Sequence, residues 1–269
     1  MSSGRWLALL LGVVLIAAVA ALVRTQGSSG PTSDPPRTES SPDPSVTGPA
    51  RHTPAEQPAR VGRPEPTSER RRLARLRRIQ SRIDWRPSRA EGTVNAGRLV
   101  DGVKLSPEGV HFITWDPVEW RSPNRPWRRH GTDRLIRTIL EVAREHRRAH
   151  PKAPRLTVGD ISRPEGGGFD ARFGAPLEFG RDRGEVGHVS HQSGLDVDVY
   201  YPRRDRRERA PDSLADINLA LAQDLVDRFV AAGAEFVFVG PRTPLGGPPE
   251  VVQPLDRHDD HLHVRLPAL

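Results

Sequence analysis

The chain has 269 residues, no cysteine and a formal net charge of +7, carried by arginine far more than by lysine. The missing cysteine excludes disulfides, thiol nucleophiles and lipid attachment at a processed cysteine. The charge favours anionic partners such as lipid surfaces, acidic polymers or nucleic acid. No recognised nucleic-acid-binding motif and no regular interleaving of arginine with aromatics occurs, which argues against a nucleic-acid module.

In chain order, residues 6–23 are almost entirely Leu, Ala, Val, Ile and Gly, bracketed by Arg5 and Arg24. These eighteen residues just reach the about 17–25 that cross a bilayer, and Ala18 and Ala20 suit a signal-peptide cleavage site. Residues 1–27 are therefore expected to be a transmembrane anchor or a signal peptide, with the rest outside the cytoplasm. Residues 28–67 are rich in Pro, Ser, Thr and Gly with almost no large apolar side chain. Such a composition cannot offset the entropy of ordering, so a disordered spacer is expected. Residues 68–91 read as a basic amphipathic helix, over 68–84, and a connector. Ser68 is its cap, and Leu73, Leu76, Ile79 and Ile83 lie roughly on one face. Its arginines either meet an anionic surface or solvate the helix while the apolar stripe packs back on the domain.

Residues 92–269 are long enough for one domain with its own core. Residues 110–115 and 156–161 read as strands, and 133–148 as a helix burying Leu135, Ile136, Ile139, Leu140 and Ala143. A strand at 195–201 follows. A second helix is expected over 213–232, on the spacing of Leu214, Ile217, Leu221, Leu225 and Phe229. Residues 235–239 and 262–266 read as the last strands, and the turn-rich stretches 116–127 and 241–254 as borders of a cleft. Trp115, Trp120 and Trp127 there either grip a ligand or pack against loop backbone. This order does not fit a doubly wound parallel sheet. It predicts a single α+β domain with a mainly antiparallel sheet flanked by helices.

Five of the ten histidines fall in two clusters, His188 with His191 and His258 with His261 and His263, with Asp196 and Asp198 close after the first. Imidazole and carboxylate are ordinary ligands of zinc, which in catalytic sites takes three protein ligands and leaves one position for water. Residues two apart on a strand share a face, so Asp196, Asp198 and Tyr200 point one way, as do His261 and His263. Two such strands side by side would bring a carboxylate and two imidazoles together. His191 lies in a glycine-bounded segment that can turn back as a third donor. The geometric candidate is one zinc per chain, on the sheet, held by His191, Asp198 and His263, with His261 beside the bound water. No His-Glu-x-x-His helix motif and no Gly-x-Ser-x-Gly elbow occurs. His111, His130, His146 and His150 read as surface or packed groups.

At these residues the chain resembles the penicillin-insensitive murein endopeptidases, within the wider group of lysostaphin-type, D-Ala-D-Ala-type and hedgehog-type zinc peptidases. The pattern is a His followed seven positions later by an Asp and then a late His-x-His, here His191, Asp198, His261 and His263. His188, the run Ser190, His191 and Gln192, then Gly194, Asp196, His258, Val264 and Arg265 extend it, and the likeness runs from about Gly92 to the C-terminus through Gly159, Asp160, Ile161, Ser162, Arg163 and Pro164. The resemblance implies zinc ligands His191, Asp198 and His263, a catalytic His261, and His188 and His258 lining the site, where either would offer a donor to the oxyanion. It also implies hydrolysis of peptidoglycan cross-link peptides between D-Ala and diaminopimelate in the bacterial cell envelope. The membrane would be a partner through an uncleaved N-terminal segment. Asp196 reads as an orienting partner of a metal-binding imidazole. Asp259 and Asp260 are either orienting groups or solvated turn residues, and Arg265 would hold a substrate carboxylate or neutralise a nearby aspartate. Arg163 and the glycines at 166–168 fit a cleft-edge loop. The alternatives are a cell-wall-binding metalloprotein without turnover, a D,D-carboxypeptidase or a metal-dependent amidase. Nothing in the chain specifies an oligomer.

Overall fold

The computed structural model describes residues 66–169 and 187–268. The apolar run at 6–23 and the spacer up to residue 65 lie outside the described residues. Among the described residues no helix is long and apolar enough to cross a membrane.

The first elements are helix α1 (Pro66–Gln80) and the hairpin of β1 (Arg89–Thr93) with β2 (Ala96–Val100). Two short strands, β3 (Val103–Lys104) and β5 (His130–Gly131), pair with each other. Between them lies β4 (Phe112–Thr114), and after them helix α2 (Asp133–Ala149) and β6 (Leu156–Val158). The chain then runs through β7 (Asp196–Tyr200), α3 (Leu219–Ala231), β8 (Phe236–Val239), β9 (Val252–Pro254) and β10 (His261–Arg265). Six of these strands form one sheet in the order β4, β6, β7, β10, β8, β9. The three inner pairings are antiparallel, and the two edge pairings, β4 with β6 and β8 with β9, are parallel. The result is the expected single α+β domain.

Alternation along the central strands divides the sheet into two chemically different faces. Val197 and Val199 of β7 and Leu262 and Val264 of β10 join Ile136 and Ile139 of α2 and Leu225 and Phe229 of α3 in one core cluster. The opposite face carries Asp196, Asp198, His261 and His263. Helix α2 starts where the Thr132 side chain accepts from the Leu135 N–H at 3.2 Å. It ends with His146, Arg147 and Arg148 in its last turn, where cations complement the helix dipole.

Two helix boundaries differ from the apolar spacing. Helix α1 stops at Gln80, because the next residues turn and carry Ile83 into the core. Its buried Leu76, the bond from the Val110 N–H to Gln80 Oε1 (3.3 Å) and the Arg75–Glu108 pair (2.8 Å) fasten it to the domain. Helix α3 begins at Leu219, six residues later than expected. Arg203 gathers Asp205, Asp212 and Asp216 at 2.8, 3.0 and 3.3 Å and pairs its backbone with Ile217. That cluster holds 213–217 out of the helix until Asn218 caps it, accepting from the Leu221 N–H at 3.2 Å. Strand β9 lies within a stretch read as turns. Of the tryptophans, Trp115 is buried edge-on against Trp120 at 5.7 Å, and Trp127 packs on Phe169 at 5.8 Å.

Leu76 tests whether α1 is part of the cooperative fold. Leu76→Ala is expected to lower the urea-unfolding free energy of the full chain by about 2–5 kcal/mol. Exposed Arg71→Ala is expected to change it by no more than about 0.5 kcal/mol; equally small effects would mean that the helix unfolds on its own.

Candidate metal centre

Strands β7 and β10 pair so that His263 stands opposite Asp198, His261 opposite Tyr200 and Arg265 opposite Asp196. This register brings the late histidines to the carboxylates from more than sixty positions away in the chain. His191 arrives from the loop before β7. Its backbone lies in the left-handed region, with φ +65°, which costs a residue with a Cβ about 1–2 kcal/mol. Local bonds hold it there. Its N–H donates to Asp196 Oδ2 at 3.3 Å, its carbonyl accepts from the Ser162 hydroxyl, and its Nδ1 meets the Ile161 carbonyl. Gly166 closes the loop from the other side. It has φ +69°, and a Cβ there would lie 2.1 Å from the Gln192 carbonyl oxygen. The segment of Arg163 and the three glycines thus packs against the His191 loop.

His191 Nε2, His263 Nδ1 and Asp198 Oδ1 form a nearly equilateral triangle with edges of 3.2, 3.3 and 3.1 Å. A tetrahedral centre with bonds of about 2.0–2.1 Å separates its ligand atoms by about 3.3–3.4 Å, so the donors suit one small cation. His188, His191 and Asp198 also offer ligand atoms within 4.8 Å of one another. His188 Nε2, however, lies 2.9 Å from Asp160 Oδ2 and 3.7 Å from Asp198 Oδ2. His261 Nε2 lies 3.8 Å from Asp198 Oδ1, while its Nδ1 is bonded to Asp260 Oδ1 at 2.6 Å. The His258 ring stacks at a tilt 4.7 Å from that of His261, and its Nδ1 meets the Asp256 carbonyl at 2.7 Å.

Charge balance also points to a cation. Buried Asp160 pairs with Arg128, and buried Asp196 accepts from Arg265 Nε at 2.7 Å and lies 3.0 Å from His263 Nε2. Asp198 is buried too, yet among the described residues its ion-pair partners are imidazoles alone. Burial disfavours its charge, but His191, His188 and His261 outweigh that and hold its pKa well below the usual carboxylate range. Burial likewise opposes a charged His263, and the hydrogen bonds to Asp196 and Asp198 overcome it, raising the group to about 9. His258 is pushed down to about 3 by burial and then by His261 and His263, and burial lowers His188. Both are neutral at pH 7. His261 is raised, since Asp260 and Asp198 outweigh its burial.

Three of the remaining sequence candidates, Asp196, Asp260 and Arg265, lie against this centre. Asp196 touches His263, Arg265 neutralises Asp196, and Asp260 holds His261. Asp259 is buried and binds the backbone and side chain of Arg242, which secures the turn at 240–242 rather than the metal site. Sequence reasoning met Asp160 only within the run from Gly159 to Pro164 and gave it no role, and it passed over Arg128 and Asn124. Asp160 accepts from Arg128 and, at 2.9 Å, from Asn124 Nδ2, while facing His188. Besides that run, the signal was the small residue before it, because a Cβ on Gly159 would sit 3.1 Å from the Cβ of Asp198. A second set of donors, His146 of α2 and His150 just past its end with Asp224 of α3, lies outside the centre. There Arg228 already binds both Asp224 oxygens, at 2.6 and 2.9 Å, and the group ties the two helices together.

No curated protein matches the chain. The sequence pattern of the penicillin-insensitive murein endopeptidases matches residues 90–228, a span that holds Asp160, His188, His191, Asp196 and Asp198 and ends before the late histidines that β10 adds. With more than half of its length so matched, the chain belongs to the penicillin-insensitive murein endopeptidase family of peptidoglycan hydrolases.

Proposed function

We propose that the domain hydrolyses amide bonds of peptidoglycan cross-link peptides, of the D,D type between D-Ala and diaminopimelate, with one zinc ion held by His191, Asp198 and His263. The observation that carries this reading is the triangle of 3.1–3.3 Å edges among those donors, closed on a buried carboxylate that lacks an arginine or lysine partner among the described residues. His188 is the lesser candidate ligand, since its Nε2 is engaged by Asp160. The N,N,O donor set suits zinc, which when bound supplies Lewis acidity and lowers the pKa of a water.

The chain's own groups handle protons and orientation. His261 points its Nε2 toward the same centre without joining the triangle, and Asp260 on its Nδ1 fixes the ring and stabilises its cation. It is placed to accept a proton from the attacking water and return one to the leaving amine. Asp196 holds the imidazole of His263, the usual companion of a ligating histidine. His188 and His258 line the centre, but a neutral imidazole has one N–H and theirs face Asp160 and the Asp256 carbonyl, so each would donate to a developing oxyanion only after taking up a proton. With residues 1–27 as an anchor or signal peptide, this chemistry takes place on the outer side of the cytoplasmic membrane.

Incubation of the full chain with purified peptidoglycan fragments, read by mass spectrometry, should convert cross-linked dimers to monomers, and a chelator should stop it. His263→Ala is expected to lose both bound zinc and cleavage. His261→Ala should keep its zinc and lose about 10²–10⁴-fold in rate; a His261 variant with wild-type turnover would move the proton-transfer role elsewhere. Removing the cation beside Asp160 tests the support of His188. Arg128→Met leaves the buried Asp160 carboxylate without its cation and is expected to cost about 3–5 kcal/mol by urea unfolding, part of which the double variant Arg128→Met with Asp160→Asn should restore.

A further inference from the structure

Away from the metal centre, a cavity of about 530 Å³ lies between the end of α1 and the β3–β5 pair. That volume is within the range of organic-ligand sites. Five basic side chains line it, Arg82, Arg86, Lys104, Arg129 and His130, against one carboxylate, Asp84, which is already bonded to Arg86. Lys104 and His130 face each other across the strand pair, so their side chains are close neighbours. Ile79, Ile83 and Leu105 give the same cavity an apolar wall.

Two polar atoms here are buried without a partner. Arg129 is almost wholly buried, donates from Nη1 to the Leu105 carbonyl at 2.6 Å, and leaves its Nε unsatisfied. His130 Nδ1 is buried and unsatisfied as well. Leaving such groups unmade costs about 1–3 kcal/mol each. The crowding shows in their titration: burial, then Lys104 and Arg129, pushes His130 down to about 4, and burial pushes Arg129 down to about 10. Lys104 is lowered by burial and by Arg129. Among the described residues Arg82, Lys104 and Arg129 have no ion-pair partner. A carboxylate would answer one of these charges. A dianionic phosphoryl group, with three acceptor oxygens, answers two and satisfies the guanidinium fork.

We propose that this cavity is a binding site for an organic phosphate, its phosphoryl group held by Lys104, Arg129 and His130 and its apolar part lying against Ile79, Ile83 and Leu105. None of these residues belongs to the metal centre, so the proposal stands apart from the zinc reading. The segment is nonetheless shared: Arg128 reaches Asp160, while the next two residues line the cavity. The shared chemistry has two sources, a soluble phosphoester and a lipid headgroup.

Phenyl phosphate titrated into the full chain by calorimetry tests the site. Binding with a Kd below about 1 mM is expected, weakened about tenfold or more by Lys104→Glu and by Arg82→Glu, two exposed positions whose variants should keep the wild-type circular dichroism. Benzoate should bind about tenfold more weakly than phenyl phosphate. No binding of phenyl phosphate, equal affinity for benzoate, or unchanged affinity in both variants would overturn the proposal. Co-sedimentation with phosphatidylglycerol vesicles identifies the source. Vesicle binding that both variants reduce assigns the headgroup, and phenyl phosphate binding without any variant-sensitive vesicle binding assigns a soluble phosphoester; either supports the site.

Discussion

The register between β7 and β10 is the constraint on which the centre depends. Side chains on a strand alternate with a period of two, so a slip of one residue would turn His261 and His263 toward the helices and bring Leu262 and Val264 to the carboxylates. The core prevents this slip. Val197, Val199, Leu262 and Val264 fill the helix-covered face together with Ile139 and Phe229, and exposing them would forfeit about 25 cal/mol for each Å² of apolar surface. Apolar packing on one face thereby sets atomic distances on the other.

The polar face is organised as a set of local compensations. Each buried carboxylate has its own companion: Arg128 for Asp160, Arg265 for Asp196, His261 for Asp260. Asp198, at the middle, has only imidazoles. In a low-dielectric interior such arrangements are strongly directional, because an unpaired charge is costly and a paired one is fixed in place. The imidazoles around the proposed cation are thus oriented by neighbours that are themselves pinned, from Asn124 through Asp160 to His188 and from Arg265 through Asp196 to the proposed ligand His263.

Much of this was legible in the chain because it follows from local periodicity. The alternation of Asp196, Asp198 and Tyr200, and of His261 and His263, put these side chains on one face before any pairing was known, and the register joins the two sets. The apolar spacing of α2 located that helix closely. What was not legible depends on contacts between distant segments. Asn124 and Arg128, in one connection between β4 and β5, meet Asp160 only when the segment after β6 packs against them, and nothing in their spacing signals it. The β1–β2 hairpin has no apolar alternation in Arg89–Thr93 to reveal it. The start of α3 is decided by Arg203 and its three aspartates, a tertiary cluster that overrides an apolar spacing continuing upstream to Leu214.

His191 gives the fold a particular evolutionary lean. A left-handed backbone is one that glycine adopts without strain, so the residue whose imidazole completes the triangle occupies a position where the main chain alone would favour having no side chain. On the proposed zinc reading, selection for stability and selection for chemistry pull in opposite directions at this one residue. Were the chemistry no longer needed, position 191 is where a descendant of this domain would be free to drift toward a more relaxed backbone, shedding a donor while leaving the sheet and its core unchanged.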